Sequence, residues 1–199
     1  MKIGIFGGTF DPPHLGHLIL ADEAFIQLKL DKLLWVLTPD PPHKQDQEIS
    51  PAEQRLELVQ AAILDNPNFE LSRVELNRLG PHYAVDTVDL LQKQYPGAEL
   101  FYIIGGDSLR DLPTWYHPQE LVDHVAAFGV MRRPEDEIDL AELEKVLPGI
   151  TPKVRFITSP LIDIASHDIR ERIASGESYR YFLHPHVYNL IRQRQYYRP

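Results

Sequence analysis

The 199-residue chain contains no cysteine. That absence excludes disulfide staples, thiolate metal sites and cysteine nucleophiles. Long apolar runs are missing as well, and none approaches the roughly 20 residues that a membrane-spanning helix requires. The N-terminus lacks a secretory pattern, because Lys2 is followed almost at once by glycines and prolines. Positive charge is scarce: 20 Lys and Arg stand against 29 Asp and Glu, a formal net charge of −9. Duplex nucleic acid wants a basic face, so neither nucleic acid nor membrane is expected as a partner. A cytoplasmic protein is the expectation. If such a chain binds phosphate-rich small molecules, it needs backbone donors and a local gathering of hydrogen-bonding side chains.

Composition is otherwise that of one globular domain spanning 1–199, with 43% hydrophobic and 25% charged residues. Apolar β-type runs occur at 2–6, 33–37, 69–71, 100–104, 125–130 and 154–158. Several are near-continuous, the pattern of strands buried on both faces. Helical spacing lies between them, as in Leu18, Ala21, Phe25 and Leu28, and in Leu56, Val59 and Ile63. Ser50 reads as the N-cap of the second helix, with Pro51 at its first position and Glu53 closing a capping box. Further helices are expected at about 84–94, 140–146, 166–174 (ending at Gly176) and 185–194. Steady alternation of strand and helix predicts an α/β fold with a doubly wound parallel sheet.

The first strand runs directly into Gly7-Gly8-Thr9-Phe10-Asp11-Pro12-Pro13-His14-Leu15-Gly16-His17, and a helix follows. In a doubly wound sheet, ligands bind where the carboxyl end of a strand meets a helix N-terminus. Gly7 and Gly8 allow close backbone approach, and free amides with the helix dipole favour an anion. His14 and His17 share one face of the first helical turn, so both imidazoles can donate to charge on a phosphoryl group. The same residues also suit a proline-stiffened turn with two incidental surface histidines, or half of a zinc site.

This stretch resembles the (T/H)xGH signature of the nucleotidylyltransferase superfamily, here His14-Leu15-Gly16-His17, and its fuller form is similar to bacterial nicotinate-nucleotide adenylyltransferases. Similar segments continue in order: Pro41-Pro42-His43-Lys44, Gly80-Pro81-His82-Tyr83-Ala84-Val85-Asp86-Thr87, Ile103-Ile104-Gly105-Gly106-Asp107-Ser108-Leu109, Pro113-Thr114-Trp115-Tyr116, Arg132-Arg133-Pro134 and Ile164-Ala165-Ser166-His167-Asp168-Ile169-Arg170. The resemblance implies a Rossmann-like nucleotidylyltransferase fold and adenylyl transfer from ATP to nicotinate mononucleotide, with Mg²⁺ travelling on ATP and no metal ligand from the protein. It assigns catalysis to His14, His17, Lys44 and Arg170. ATP would meet Gly7, Gly8, Thr9, Phe10, His14, His17, Gly105, Asp107, Arg133, Ser166, His167 and Arg170. The mononucleotide would meet Thr9, Lys44, Tyr83, Ala84, Trp115 and Tyr116, with the indole on the pyridine ring. No organic cofactor is implied.

Read as residues alone, Asp107 also suits a helix N-cap for 108–112, and Ser166 suits an N-cap for the helix it opens. The pattern departs from the family at Ala84, where threonine is usual, and at Ala165 and His167, where hydroxyls are usual. These departures leave room for an amide acceptor or a nucleotide-binding paralogue without turnover. His167 can replace a hydroxyl donor through its ring N–H, and ATP affinity would then weaken as pH rises through the imidazole range. His124, His184 and His186 read as surface or packing residues. The terminal Tyr196-Tyr197-Arg198-Pro199 suits docking on the body or on another subunit of a homo-oligomer.

Overall fold

The computed structural model describes residues 1–40, 49–131 and 138–198. Six strands form one parallel sheet: β1 (Lys2–Gly8), β2 (Lys32–Leu37), β3 (Phe69–Ser72), β4 (Glu99–Gly105), β5 (Ala127–Met131) and β6 (Val154–Ile157). Their order is β3-β2-β1-β4-β5-β6. Every pairing is parallel; Ile5, for example, lies opposite Leu34 of β2 and Tyr102 of β4. The chain winds outward from β1 to β3, then restarts on the other side of β1 with β4. The doubly wound α/β expectation therefore holds, with its switch point between β1 and β4.

Helices cover both faces, as parallel strands with apolar residues on both sides require. They are α1 (Leu15–Gln27), α2 (Ala52–Ile63), α3 (Ala84–Gln94), α4 (Gly106–Asp111), α5 (Pro118–His124), α6 (Leu140–Val146), α7 (Ser166–Ser175) and α8 (Pro185–Arg194). One core cluster gathers Phe6, Trp35 and Leu37 with residues of α1, α2, α7 and α8. The other gathers Ile3, Ile5, Leu34 and Ile104 with residues of α3 to α6. Alternate residues of the same strand feed the two clusters, the two-residue period of a pleated sheet. Among the described residues no helix is long and apolar enough to cross a membrane.

Two caps differ from expectation. Pro51, not Ser50, is the N-cap of α2, with no side-chain cap bond. Ser50 is held by its backbone instead: its N–H donates to Asp11 Oδ2 (3.0 Å) and its carbonyl accepts from Arg55 Nε (2.8 Å). Ala165, not Ser166, caps α7. The Ser166 hydroxyl donates to the Pro12 carbonyl (2.9 Å), tying α7 to the turn after β1. In both places a distant partner outweighs local capping chemistry.

Candidate active site

At the carboxyl ends of β1 and β4 lie three adjoining cavities. The first, about 280 Å³, is lined by Thr9, Asp11, His14 and His17 from the β1–α1 crossover and by Ser166, His167 and Arg170 from α7. The second, about 410 Å³, runs from His14 and His17 past Gly16 to Gly105 and Asp107. The third, about 470 Å³, lies between Gly8, Thr9, Tyr83, Ala84, Trp115 and Tyr116. Both histidines line the first two, Thr9 the first and third, and Gly7 and Gly105 the second and third. A ligand that fills all three therefore bends around the histidine pair.

The two imidazoles face each other with centroids 3.7 Å apart and planes inclined by 32°. His14 is the N-cap of α1, and its backbone N–H donates to His17 Nδ1 (3.2 Å). Neutral His17 therefore carries its proton on Nε2, where it can be offered to an acceptor. A Cβ on Gly16 would sit 3.0 Å from His14 Nδ1, so glycine leaves room for that ring over the helix start. His14 is only 7% exposed, and its Nδ1 is buried without a hydrogen-bond partner. Burial lowers the His14 pKa to about 4, so the ring is neutral near pH 7.

This environment makes a linkage prediction. A polyphosphate bound beside this ring would favour the imidazolium and raise the His14 pKa, so binding would take up protons and tighten as pH falls from 8 toward 5. Calorimetry with Mg-ATP in buffers of different ionisation heat should show uptake that falls in His14→Asn. His167→Ser isolates the exposed imidazole on α7, which has Asp168 Oδ1 2.9 Å from its Nε2. Equal uptake in wild type and His14→Asn would contradict the assignment to His14.

Phe10 lines the first cavity while its ring faces the core. Its ring is 2% exposed and packs on Phe6, Trp35 and His17, meeting His17 edge-on at 5.1 Å. The backbone reaches this position at φ +50°, a left-handed conformation that non-glycine residues seldom adopt. A Cβ on Gly8 would lie 2.7 Å from the Phe10 ring. The ring thus supports His17 from inside the core.

Sequence reasoning missed Arg55. It is 1% exposed and donates to four carbonyls: Ser50 (2.8 Å), Thr9 (2.9 Å), Thr38 (2.9 Å) and Pro39 (2.7 Å). One guanidinium thereby fixes the turn after β1, the turn after β2 and the entry to α2. Burial pulls its pKa down, while the nearby Asp11 carboxylate acts in the opposite direction. The signal was present in the spacing, since Arg55 stands four residues before Val59 on the buried stripe of α2.

Arg170 lies beside the first cavity, and its Nη1 donates to the Asp11 carbonyl (2.7 Å). Asp107 is not an N-cap: Gly105 caps α4, and Asp107 sits in its first turn, paired with Arg110 at 2.7 Å. Its side chain is largely exposed at the rim of the second cavity. Around the third cavity Tyr83 stacks on Tyr116 (4.1 Å, 18°), and half-buried Trp115 meets Tyr102 edge-on at 6.3 Å. Ala84 opens α3, whose N-cap Tyr83 makes no side-chain cap bond, so main-chain amides are presented there. Behind this loop the buried Glu75 carboxylate accepts from Arg78 (3.1 and 3.2 Å) and from the Thr87 hydroxyl, and His82 Nε2 lies 3.0 Å from the Glu75 carbonyl. Lys44 and Arg133 lie outside the described residues.

Residues 5–172 match the family model for cytidylyltransferase-like proteins. The Bacillus subtilis nicotinate-nucleotide adenylyltransferase is 39% identical over 197 residues, covering 98% of each chain. The "Probable nicotinate-nucleotide adenylyltransferase" of Thermomicrobium roseum is 43% identical over 180 residues, 90% of this chain and 84% of that one. Among solved structures, Plasmodium falciparum nicotinic acid mononucleotide adenylyltransferase complexed with NaAD superposes with a TM-score of 0.79 at 20% identity, covering 98% of this chain and 97% of that one, a likeness of fold. The chain belongs to the cytidylyltransferase-like family and, within it, to the nicotinate-nucleotide adenylyltransferases.

Proposed function

We propose that this chain transfers the adenylyl group of ATP to the 5′-phosphate of nicotinate mononucleotide, giving deamido-NAD and pyrophosphate. The observation that carries this reading is one pair of imidazoles shared by two cavities, with a third joined to them through Thr9, Gly7 and Gly105. The triphosphate lies in the first, the adenosine in the second beside Gly105 and Asp107, and the mononucleotide in the third.

An oxygen of the mononucleotide phosphate bonds to the α-phosphorus of ATP as the bond to the β-phosphate oxygen breaks, and that electron pair leaves with pyrophosphate. No side chain forms a covalent intermediate, so rate comes from positioning and from donors aimed at phosphoryl charge. His17 offers Nε2–H. His14 offers a ring N–H, and Arg170 offers its guanidinium. Main-chain amides of the β1–α1 crossover and of α7 complete the cradle. Lys44 and Arg133 are proposed, from the resemblance, to meet the substrate phosphates and ATP.

Mg²⁺ is proposed to enter as part of the substrate, Mg-ATP, where it neutralises phosphate charge. In the first cavity the one carboxylate among the described lining residues is Asp11, and both its oxygens already accept hydrogen bonds. That donor set suits a metal carried on the nucleotide better than one held by the protein.

Acid rather than amide selection is supported by the third cavity, whose described lining contains no Asp or Glu and includes the uncapped start of α3. An anionic pyridine substituent is favoured there over a neutral one. Incubation with ATP, Mg²⁺ and either mononucleotide, followed by pyrophosphate release, tests this. Turnover at least about tenfold more efficient with the acid is expected. Turnover with the amide alone overturns the acceptor, and nucleotide binding without any turnover overturns the reaction.

A further inference from the structure

The segment that follows α8 docks on the body of the protein and brings Tyr197 to Asp11 of the first cavity. Tyr196 O–H donates to Glu57 Oε2 of α2 (2.8 Å), and Arg194 pairs with the same carboxylate (3.3 Å). Tyr197 O–H donates to Asp11 Oδ1 (2.8 Å), across 186 positions of sequence. Gln195 at φ +59° and Tyr197 at φ +63° both adopt left-handed backbone, which non-glycine residues hold only when surrounding contacts over-determine it.

Asp11 is an awkward residue to find beside a triphosphate. It is 4% exposed, lines the first cavity and brings a carboxylate to a place that must accept polyanionic charge. Its Oδ2 accepts the Ser50 N–H at 3.0 Å, and its Oδ1 accepts the Tyr197 hydroxyl. Arg170 Nη1 bonds to the Asp11 main-chain carbonyl at 2.7 Å but lies 3.9 Å from Oδ2, at the limit of an ion pair. The guanidinium is therefore anchored beside the carboxylate without closing on it. Burial and the neighbouring Asp11 push the Tyr197 phenol well above its usual range, so it remains the donor at any working pH.

We propose that Tyr197 is a positioning residue for ATP: its hydroxyl on Asp11 Oδ1 completes, with the Ser50 N–H on Oδ2, the satisfaction of the carboxylate and so keeps the Arg170 guanidinium directed at the triphosphate rather than folded onto Asp11. This inference rests on the function proposed above. Tyr196 and Arg194 share the tether to Glu57 on α2, whereas the Tyr197 hydroxyl acts on a residue of the phosphate cavity.

The test is a double-mutant cycle read by calorimetry with Mg-ATP and, separately, with nicotinate mononucleotide. Tyr197→Phe removes one hydroxyl and keeps the ring. It should weaken ATP binding about five- to tenfold, as expected for loss of one charge-assisted hydrogen bond, and leave mononucleotide affinity within about twofold. In an Asp11→Asn background the same substitution should change ATP affinity by less than about twofold, because a neutral amide no longer draws the guanidinium. Tyr196→Phe, which loosens the tether at Glu57, should leave ATP affinity unchanged. Unchanged ATP affinity in Tyr197→Phe, equal weakening in Tyr196→Phe, or an undiminished effect in the Asp11→Asn background would each overturn the proposal. Binding needs no turnover, so a wild-type protein that binds Mg-ATP yet releases no pyrophosphate counts against the proposed reaction and leaves this cycle readable.

Discussion

Replacing His17 with alanine is expected to lower kcat by about 10² to 10³, the usual cost of deleting one preorganised donor to developing phosphoryl charge. The reason is geometric. His17 Nδ1 accepts the His14 N–H, which fixes the ring and puts the proton of the neutral imidazole on Nε2, the donor proposed for catalysis. Phe10 holds it from the core side at 5.1 Å. Because the ring also satisfies a backbone donor at the start of α1, its loss should cost about 1 kcal/mol of stability, a fall in Tm of a few degrees. Circular dichroism and a thermal melt separate the two effects. A folded His17→Ala protein with near-wild-type kcat would remove the catalytic role.

Arg55→Met is expected to have the largest effect on stability. Methionine fills much of the volume but donates nothing, so four carbonyls at Ser50, Thr9, Thr38 and Pro39 lose their partner in the interior. Stranding buried polar groups of this kind costs about 3–5 kcal/mol, a large share of the 5–15 kcal/mol typical of a whole domain. Urea denaturation should show the midpoint moving down accordingly. The turns after β1 and β2 lose a common anchor, so KM for both substrates should rise together. Arg55→Lys should recover only part of the loss, because an ammonium cannot reproduce a planar fork toward four acceptors. An unfolding free energy within about 0.5 kcal/mol of wild type would show that these carbonyls find other donors.

Much of the architecture was legible because buried parallel strands are near-continuous apolar runs, and long amphipathic helices carry their period openly. Helices α3, α6 and α8 begin and end where the pattern places them. Two short elements were less legible: α4, which reads as a helix over 108–112 behind an Asp107 cap, begins at Gly106, and α5, which opens on Pro118, does not read as a helix. Around the site, the local motif identified His14, His17, Trp115 and Tyr116, and these residues do line the three cavities. Partners brought together by folding alone escaped it. Arg55 is not singled out despite its place on the buried stripe of α2, and Tyr197, which reads as docking on the body or on another subunit, is not matched to Asp11. Phe10 was legible as part of the motif, but its ring serves the core because a left-handed turn sends it inward. Ser50 and Ser166 look like caps by local chemistry, yet the contacts that hold them come from elsewhere in the fold.

The most direct test of the central claim is a crystal structure with Mg²⁺ and a non-hydrolysable ATP analogue. The triphosphate should occupy the cavity of about 280 Å³ between His14, His17 and Arg170, with a phosphate oxygen roughly 2.7–3.2 Å from His17 Nε2 and the ribose toward Gly105 and Asp107. A triphosphate bound away from the two imidazoles, or an adenine seated against Trp115 in the third cavity, would contradict it.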